Sequence, residues 1–222
     1  MKTDVQEKAE MLLQDILAEA NKKEPRPALQ SGKHELLRRI VHLSVPITLI
    51  YYLIPPHMWG YMIREDALVV AFIILIIFEA IRIWKKISIP GFRPYEKGRL
   101  SAAAWAGIAL FISFMLFPME IVVPSVVAMA IIDPMNGEMR RSRYYPWIPA
   151  AFSIVIYFLG LLALSNYSIP AVFMLSITGG LIAMASEIPH LWIDDDFMMI
   201  MVPATVLYII IAVMDVIGVV IT

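Results

Sequence analysis

The chain lacks cysteine among its 222 residues, which excludes disulfide bonds, thiolate metal ligands and a thiol nucleophile. Charge is scarce as well, at 17% of the residues, where soluble domains carry about 25%. Hydrophobic residues make up 60% of the chain, and the mean hydropathy is +0.75. Because the backbone finds no water inside lipid, this composition predicts an integral membrane protein built from helices.

Long apolar runs predict about seven membrane segments, because several approach or reach the ~20 residues that span hydrocarbon. The runs lie at 36–54, 67–84, 100–117, 119–132, 146–165, 169–186 and 198–221. We therefore predict an all-α, polytopic transmembrane helical bundle of catalytic type over residues 34–222. Residues 1–33 are highly charged and lack the apolar core of a cleavable signal peptide, so we expect a cytoplasmic linker preceded by an amphipathic helix at 4–23.

Positive charge is almost missing from one side of this predicted bundle. If each run crosses the bilayer, that side receives Arg64, and every other Lys and Arg falls on the opposite side. Because Lys and Arg near helix ends stay in the cytoplasm, we expect a multi-pass protein with a cytoplasmic N-terminus. The acidic residues Asp133, Glu187 and Asp194–Asp196 fall on this same side. Basic clusters that face carboxylates at a membrane surface suggest chemistry on a phosphorylated, metal-bound substrate.

The third and fourth runs are separated by two prolines and a glutamate rather than by a polar loop. One helix across both would overshoot the bilayer, so we predict a tight hairpin with Pro118–Glu120 as its outer turn. The fourth segment then has about 14 residues and covers about 21 Å at 1.5 Å per residue. We expect it to end at Asp133, before a Pro-Gly turn, and to leave that carboxylate in a recessed cavity.

Four carboxylates cluster within ten residues, in the segment that runs from Glu187 through His190 to Asp194-Asp195-Asp196. Such a cluster needs a cation or basic neighbours to offset its repulsion, although a solvated acidic loop remains the alternative. Mg²⁺ takes carboxylates together with phosphate oxygens and water, and it suits oxygen ligands better than zinc does. Together with Asp133, this cluster predicts a magnesium site.

The first membrane helix carries Glu35, Arg38, Arg39 and His42 at spacings that share one face. The two arginines are also suited to anchoring the helix at lipid head groups. His42 lies inside the apolar run, where ionisable residues are rare and usually face a polar cavity.

A second charged group combines the pair Glu79 and Arg82, one helical turn apart, with the loop from Ile87 to Leu100. The pair either neutralises itself or contacts substrate. The loop contains Arg93 and Arg99, and the planar fork of Arg matches phosphate oxygens. A plain solvated loop is the alternative reading.

The order of these motifs resembles the dolichol kinase, phytol kinase and CTP-dependent diacylglycerol kinase family of membrane lipid kinases, which is related to the phosphatidate cytidylyltransferases. The resemblance covers about residues 33–210. Its motifs are the first-helix pattern E-x-x-R-R-x-x-H, the basic loop with Glu96, the Asp133-Pro134 step, and Glu187 followed by Asp194-Asp195. Asp196 stands where the family has Asn.

The resemblance implies a kinase that transfers a phosphoryl group from a nucleotide to a lipid alcohol such as a polyprenol at the cytoplasmic face. CTP is the favoured nucleotide. Its implied catalytic residues are His42, Glu187 and Asp195, and its implied Mg²⁺ ligands are Asp133, Asp194 and Asp195. The implied substrate or phosphate contacts are Glu35, Arg38, Arg39, Arg82, Arg93, Glu96, Arg99 and Arg140.

Two alternatives remain open at this stage. A CTP-dependent phospholipid cytidylyltransferase would use the same ion and nucleotide but release pyrophosphate. A non-catalytic membrane subunit or a transporter would use neither. For the kinase we expect a membrane lipid and a nucleotide as partners and no nucleic acid, and a homo-oligomer is compatible with the sequence.

Overall fold

The computed structural model describes residues 39–57, 62–87, 89, 94–187 and 193–216 of the chain. The chain divides into two compact units, Met1–Leu36 and Leu37–Thr222. The first unit, with the amphipathic helix predicted at 4–23, lies outside the described residues. The elements described below all belong to the second unit.

Every regular element of the described residues is a helix, which confirms the all-α class over that part of the chain. In chain order the helices are α1 (Arg39–Leu53), α2 (Ile63–Trp84), α3 (Ala102–Leu116), α4 (Met119–Met139), α5 (Trp147–Leu164), α6 (Ile169–Ala185) and α7 (Asp195–Val216). The second part of α1, Val45–Leu53, is a 3-10 helix, and a 3-10 turn, Pro94–Gly98, precedes α3.

Four of these helices, α2, α4, α5 and α7, are long and apolar enough to cross a membrane. This supports the predicted membrane class. Helix α3 has 15 residues and α6 has 17, and α1 belongs to the same shorter apolar group. As far as the structure describes them, three of the seven predicted segments are therefore shorter than the four candidate spans.

Helices α3 and α4 run in opposite directions, as in the predicted hairpin, although Met119 and Glu120 belong to the first turn of α4 and not to the connection. Near the start of α7, the ring of Trp105 lies 5.6 Å from that of Phe197, and further along α7 the ring of Phe117 lies 5.5 Å from that of Tyr208. Helix α3 therefore runs parallel to α7. Helix α4 runs the opposite way, because its far end meets the beginning of α7 at the site described below. The two helices are joined at Pro118, which is the N-cap of α4.

Helix α4 is longer than predicted, with 21 residues rather than about 14, and Asp133 does not end it. Pro134 lies inside the helix. A proline removes one backbone hydrogen bond but does not by itself terminate a helix whose other turns are well packed. Asp133 is nevertheless recessed, with its side chain 11% exposed, because it lies within the packed helix and not because the helix stops short.

Small residues allow α5 and α6 to approach closely. A Cβ atom at Gly180 of α6 would lie 2.6 Å from the backbone nitrogen of Ile154 in α5. Close backbone approach at small residues is a common way for helices to pack inside a membrane. Helix α6 is thereby fixed against the bundle, and it carries Glu187 to the end where α4 finishes.

Candidate metal and phosphate site

The charged ends of the helices meet at one end of the bundle. His42 near the start of α1, Asp133 near the end of α4 and Asp196 at the start of α7 come together there. Arg64, at the start of α2, lies at the other end, with its guanidinium carbon 5.2 Å from the ring centre of Tyr51. The structure thus separates Arg64 from the other described basic residues, as the alternation of segments predicted.

His42 lies between two carboxylates in the centre of this end. Its Nε2 is 3.5 Å from Asp133 Oδ2, and its Nδ1 is 3.6 Å from Asp196 Oδ1. The exposed fractions of the three side chains are 7%, 11% and 3%. One ligand atom from each residue can be chosen so that all lie within 4.8 Å of one another. An imidazole and two carboxylates at this separation have the size and the chemistry of a cation site.

Asp196 also belongs to a second group, which it forms with Asp194 and Asp195. Ligand atoms of these three carboxylates again lie within 4.8 Å of one another. Asp194 Oδ1 accepts a hydrogen bond from the backbone N–H of Asp196 at 3.2 Å. The positive end of the α7 dipole favours negative charge here. Asp196 therefore links the predicted residues Asp194 and Asp195 to Asp133.

Glu187 is buried beside this group and is held by two donors from the last turn of α4. Arg140 Nη2 donates to Glu187 Oε1 at 2.5 Å, and Asn136 Nδ2 donates to Glu187 Oε2. Burial raises the pKa of Glu187, and the hydrogen bond and charge of Arg140 oppose that rise. The hydrogen bond to Glu187 raises the pKa of Arg140 above its ordinary value, so this arginine stays charged.

The predicted phosphate-binding residues fall in different places. Arg39 pairs with Glu138 at the surface of the same end, and Arg140 lies beside Glu187 with 54% of its side chain exposed. Glu35, Arg38 and Arg93 lie outside the described residues.

Arg82 and Glu96 lie in a separate buried network. Arg82 donates from Nε and Nη2 to Glu79 at 2.8 and 2.7 Å, from Nη1 to the carbonyl of Glu96 at 2.8 Å, and from Nη2 to the carbonyl of Arg99 at 2.5 Å. Glu79 in turn accepts the backbone N–H of Ser101 at 2.6 Å. The donors of Arg82 are directed at the loop before α3, which they fasten to the end of α2.

The sequence analysis places Asp196 in the acidic cluster without assigning it as a ligand, and it does not select Asn136. Asp196 is 2% exposed and Asn136 is fully buried. The signal for Asn136 was its spacing of three from Asp133, which places both on one helical face. That signal was lost because the segment after Asp133 was read as a turn.

Comparisons of the chain with protein-family models, with curated proteins and with solved structures give no match. The carboxylates around His42 can hold a divalent cation. The exposed arginines at this end, Arg39 and Arg140, have the chemistry to bind a phosphate.

Proposed function

We propose that the chain is a membrane lipid kinase. It transfers the terminal phosphoryl group of a nucleotide, with CTP as the favoured donor, to a lipid alcohol such as a polyprenol. The observation that carries this proposal is the meeting of His42, Asp133 and Asp196, which come from α1, α4 and α7. Residues so distant in the chain are brought together inside a largely apolar protein, where buried ionisable groups usually have a function.

The oxygen-rich ligand set suits Mg²⁺, with Asp133 and the Asp194–Asp196 group as the proposed ligands. When bound, Mg²⁺ would neutralise charge on the phosphate oxygens of the nucleotide. Phosphoryl transfer depends mainly on positioning and on electrostatic stabilisation. Arg39 and Arg140, at the open side of the acidic group, are placed to contact the remaining phosphate oxygens.

The reaction that we propose is an in-line displacement. The hydroxyl oxygen of the lipid forms a bond to the terminal phosphorus, the bond from that phosphorus to the bridging oxygen breaks, and the nucleoside diphosphate leaves with the bonding electrons. The hydroxyl proton passes to a protein base. His42 and Glu187 are the two buried groups placed to orient the hydroxyl and to accept this proton.

We also propose that α1, α3 and α6 cross the membrane with the four longer helices, and that the site faces the cytoplasm. Successive helices alternate in direction, and the basic residues after α2 and α4 lie at the site end, while Arg64 lies at the other. A 15-residue helix such as α3 covers about 22 Å at 1.5 Å per residue. Local thinning of the bilayer accommodates such a length at a modest cost.

The test is a transfer assay with the purified full chain in lipid nanodiscs, supplied with Mg²⁺, radiolabelled CTP or ATP and a panel of lipid alcohols. We expect labelled lipid phosphate from the wild type and a loss of roughly 100-fold or more in Asp133→Asn and Asp196→Asn, because both lose a proposed ligand. Asp215→Asn, an exposed carboxylate at the other end of α7, is the matched control and should retain activity.

Three outcomes would count against the kinase. Pyrophosphate release with a nucleotide-linked lipid product would indicate the cytidylyltransferase. Absence of any lipid product across the panel would favour a non-catalytic subunit or a transporter. Full activity in Asp133→Asn would reject the site even if transfer occurred.

A further inference from the structure

The side-chain amide of Asn136 is buried, and the structure shows a hydrogen-bond partner for its nitrogen but not for its oxygen. It is fully buried in α4, one turn after Asp133. Its Nδ2 donates to Glu187 Oε2. Its carbonyl oxygen Oδ1 is buried and has no hydrogen-bond partner within the part of the chain that the structure describes. Native proteins rarely leave a buried polar atom in this state unless water, an ion or a ligand completes it.

The orientation of this amide is fixed by its neighbours. Glu187 accepts a second hydrogen bond from Arg140 Nη2 at 2.5 Å, and an ionised carboxylate can only accept. The NH₂ group of Asn136 must therefore face Glu187. Because Arg140 is one turn later on the same helix, Glu187 lies towards the end of α4. The carbonyl oxygen is on the opposite edge of the amide, towards the turn that carries Asp133.

The surroundings of this oxygen favour a cation over a hydrogen-bond donor. Asp133 shares the helical face of Asn136 and lies with Asp196 against His42. His42, Asp133 and Asp196 offer ligand atoms that lie within 4.8 Å of one another, a separation at which one metal ion can be held. Carboxylates supplemented by an Asn carbonyl are ordinary ligands of hard divalent cations.

We propose that Asn136 Oδ1 is the neutral oxygen ligand of a divalent cation held by Asp133 and Asp196. The cation itself belongs to the proposed function, and the new element is the ligand. The amide then has two roles at once, because one edge binds the cation and the other holds Glu187, which pairs with Arg140. Cation binding would thereby fix the arginine that faces the phosphate.

The test measures Mn²⁺ binding by electron paramagnetic resonance on the full chain, without nucleotide or lipid alcohol. We expect the wild type to bind Mn²⁺, Asp133→Asn to lose binding, and Asn136→Leu to bind at least about ten-fold more weakly, as for changes around other metal sites. Asn166→Leu, an exposed position in the connection at the opposite end, should bind as the wild type does. Asn136→Ala replaces Asn136→Leu if the larger side chain prevents folding.

A double-mutant cycle separates direct ligation from an indirect effect through Glu187. If Asn136 is a ligand, Asn136→Leu weakens Mn²⁺ binding by a similar factor in the wild type and in Glu187→Ala. If it acts only by holding Glu187, the substitution has no further effect in Glu187→Ala, and the proposal is wrong.

The outcomes also distinguish this inference from the proposed function. Equal Mn²⁺ binding by Asn136→Leu and the wild type overturns the ligand assignment but leaves the kinase intact. Absence of Mn²⁺ binding in the wild type overturns the ligand assignment as well, while the transfer assay with nucleotide decides the kinase independently.

Discussion

Two buried charged clusters lie at the same end of the bundle, and they differ in the distances between their charged atoms and in the ligand atoms that they offer. In the anchor cluster, formed by Glu79, Arg82 and the loop from Glu96 to Ser101, one guanidinium meets one carboxylate and two carbonyls at 2.5–2.8 Å. In the acidic cluster, formed by His42, Asp133 and Asp194–Asp196, the separations from His42 to the two carboxylates are 3.5 and 3.6 Å.

The difference is one of geometry. In the anchor cluster, Glu79 and Arg82 form an ion pair at distances typical of charge-assisted hydrogen bonds. The acidic cluster gathers several carboxylates around one imidazole at distances beyond ordinary hydrogen bonds. Burial of charge is common to both, so burial alone does not identify a functional site. What distinguishes the acidic cluster is its ligand set, an imidazole and carboxylates whose atoms lie within 4.8 Å of one another.

The largest effect that this comparison predicts is a loss of folding stability when the anchor cluster is disrupted. Arg82→Ala leaves the buried carboxylate of Glu79 without its cation, and breaking a buried ion pair in this way costs about 3–5 kcal/mol. We expect the free energy of unfolding in mixed detergent to fall by that amount. Lys85→Ala, an exposed change just after α2, should leave it unchanged.

The double variant Glu79→Leu with Arg82→Met sharpens the same test. Replacing both members of a buried pair with apolar groups is often neutral, although here it also removes the bonds to Glu96 and Arg99. We expect the double variant to be more stable than Arg82→Ala. Equal stability of Arg82→Ala and the wild type would mean that the network does not hold the loop.

The next effect concerns the response to Mg²⁺, which should be confined to the acidic cluster. A ligand at 100 times its dissociation constant stabilises the native state by about 2.7 kcal/mol. We expect this gain in the wild type and its loss in Asp133→Asn. Glu120→Gln, at the opposite end of the same helix α4, should keep the gain. The measurement is thermal unfolding with Mg²⁺ and with an equal ionic strength of NaCl.

Without added cation, we expect Asp133→Asn to have the opposite effect on stability. Asp133→Asn reduces repulsion in the acidic cluster, so in chelator it should be at least as stable as the wild type. A large loss of stability in chelator would assign Asp133 to the framework of the fold. It would then resemble Arg82, and the distinction between the clusters would fail.

The sequence predicts the segments well because apolar runs and prolines act locally. The break at Pro118 is predicted because one helix over both apolar runs would be longer than the bilayer is thick. In the structure, α3 and α4 are separate helices joined at Pro118. The end of α4 is less well predicted, since Pro134 looks like a stop while the packing of the surrounding turns continues the helix. The error at this end concealed Asn136, whose alignment with Asp133 exists only if the helix continues.

Both clusters depend on contacts between distant parts of the chain, which residue spacing alone does not determine. The spacing of Glu79 and Arg82 permits either an internal pair or a phosphate contact, and only the approach of the loop at Glu96 distinguishes them. Likewise, three consecutive aspartates do not reveal which one faces inward. The start of α7 at Asp195 decides this, because it turns Asp196 towards His42.

The smallest effect on stability is expected at the edge of the acidic cluster. Arg39 and Glu138 form a pair with 43% and 56% of their side chains exposed, and exposed pairs contribute about 0–1 kcal/mol. Arg39→Ala should therefore unfold almost as the wild type does. If Arg39 contacts phosphate, however, the loss of a hydrogen bond to a charged group costs about 1.5–3 kcal/mol, so the KM for the nucleotide should rise at least about ten-fold. Arg64→Ala, which removes an arginine from the other end, should change neither quantity. An unchanged KM in Arg39→Ala would limit the phosphate contacts to Arg140 and leave Arg39 as a surface pair with Glu138.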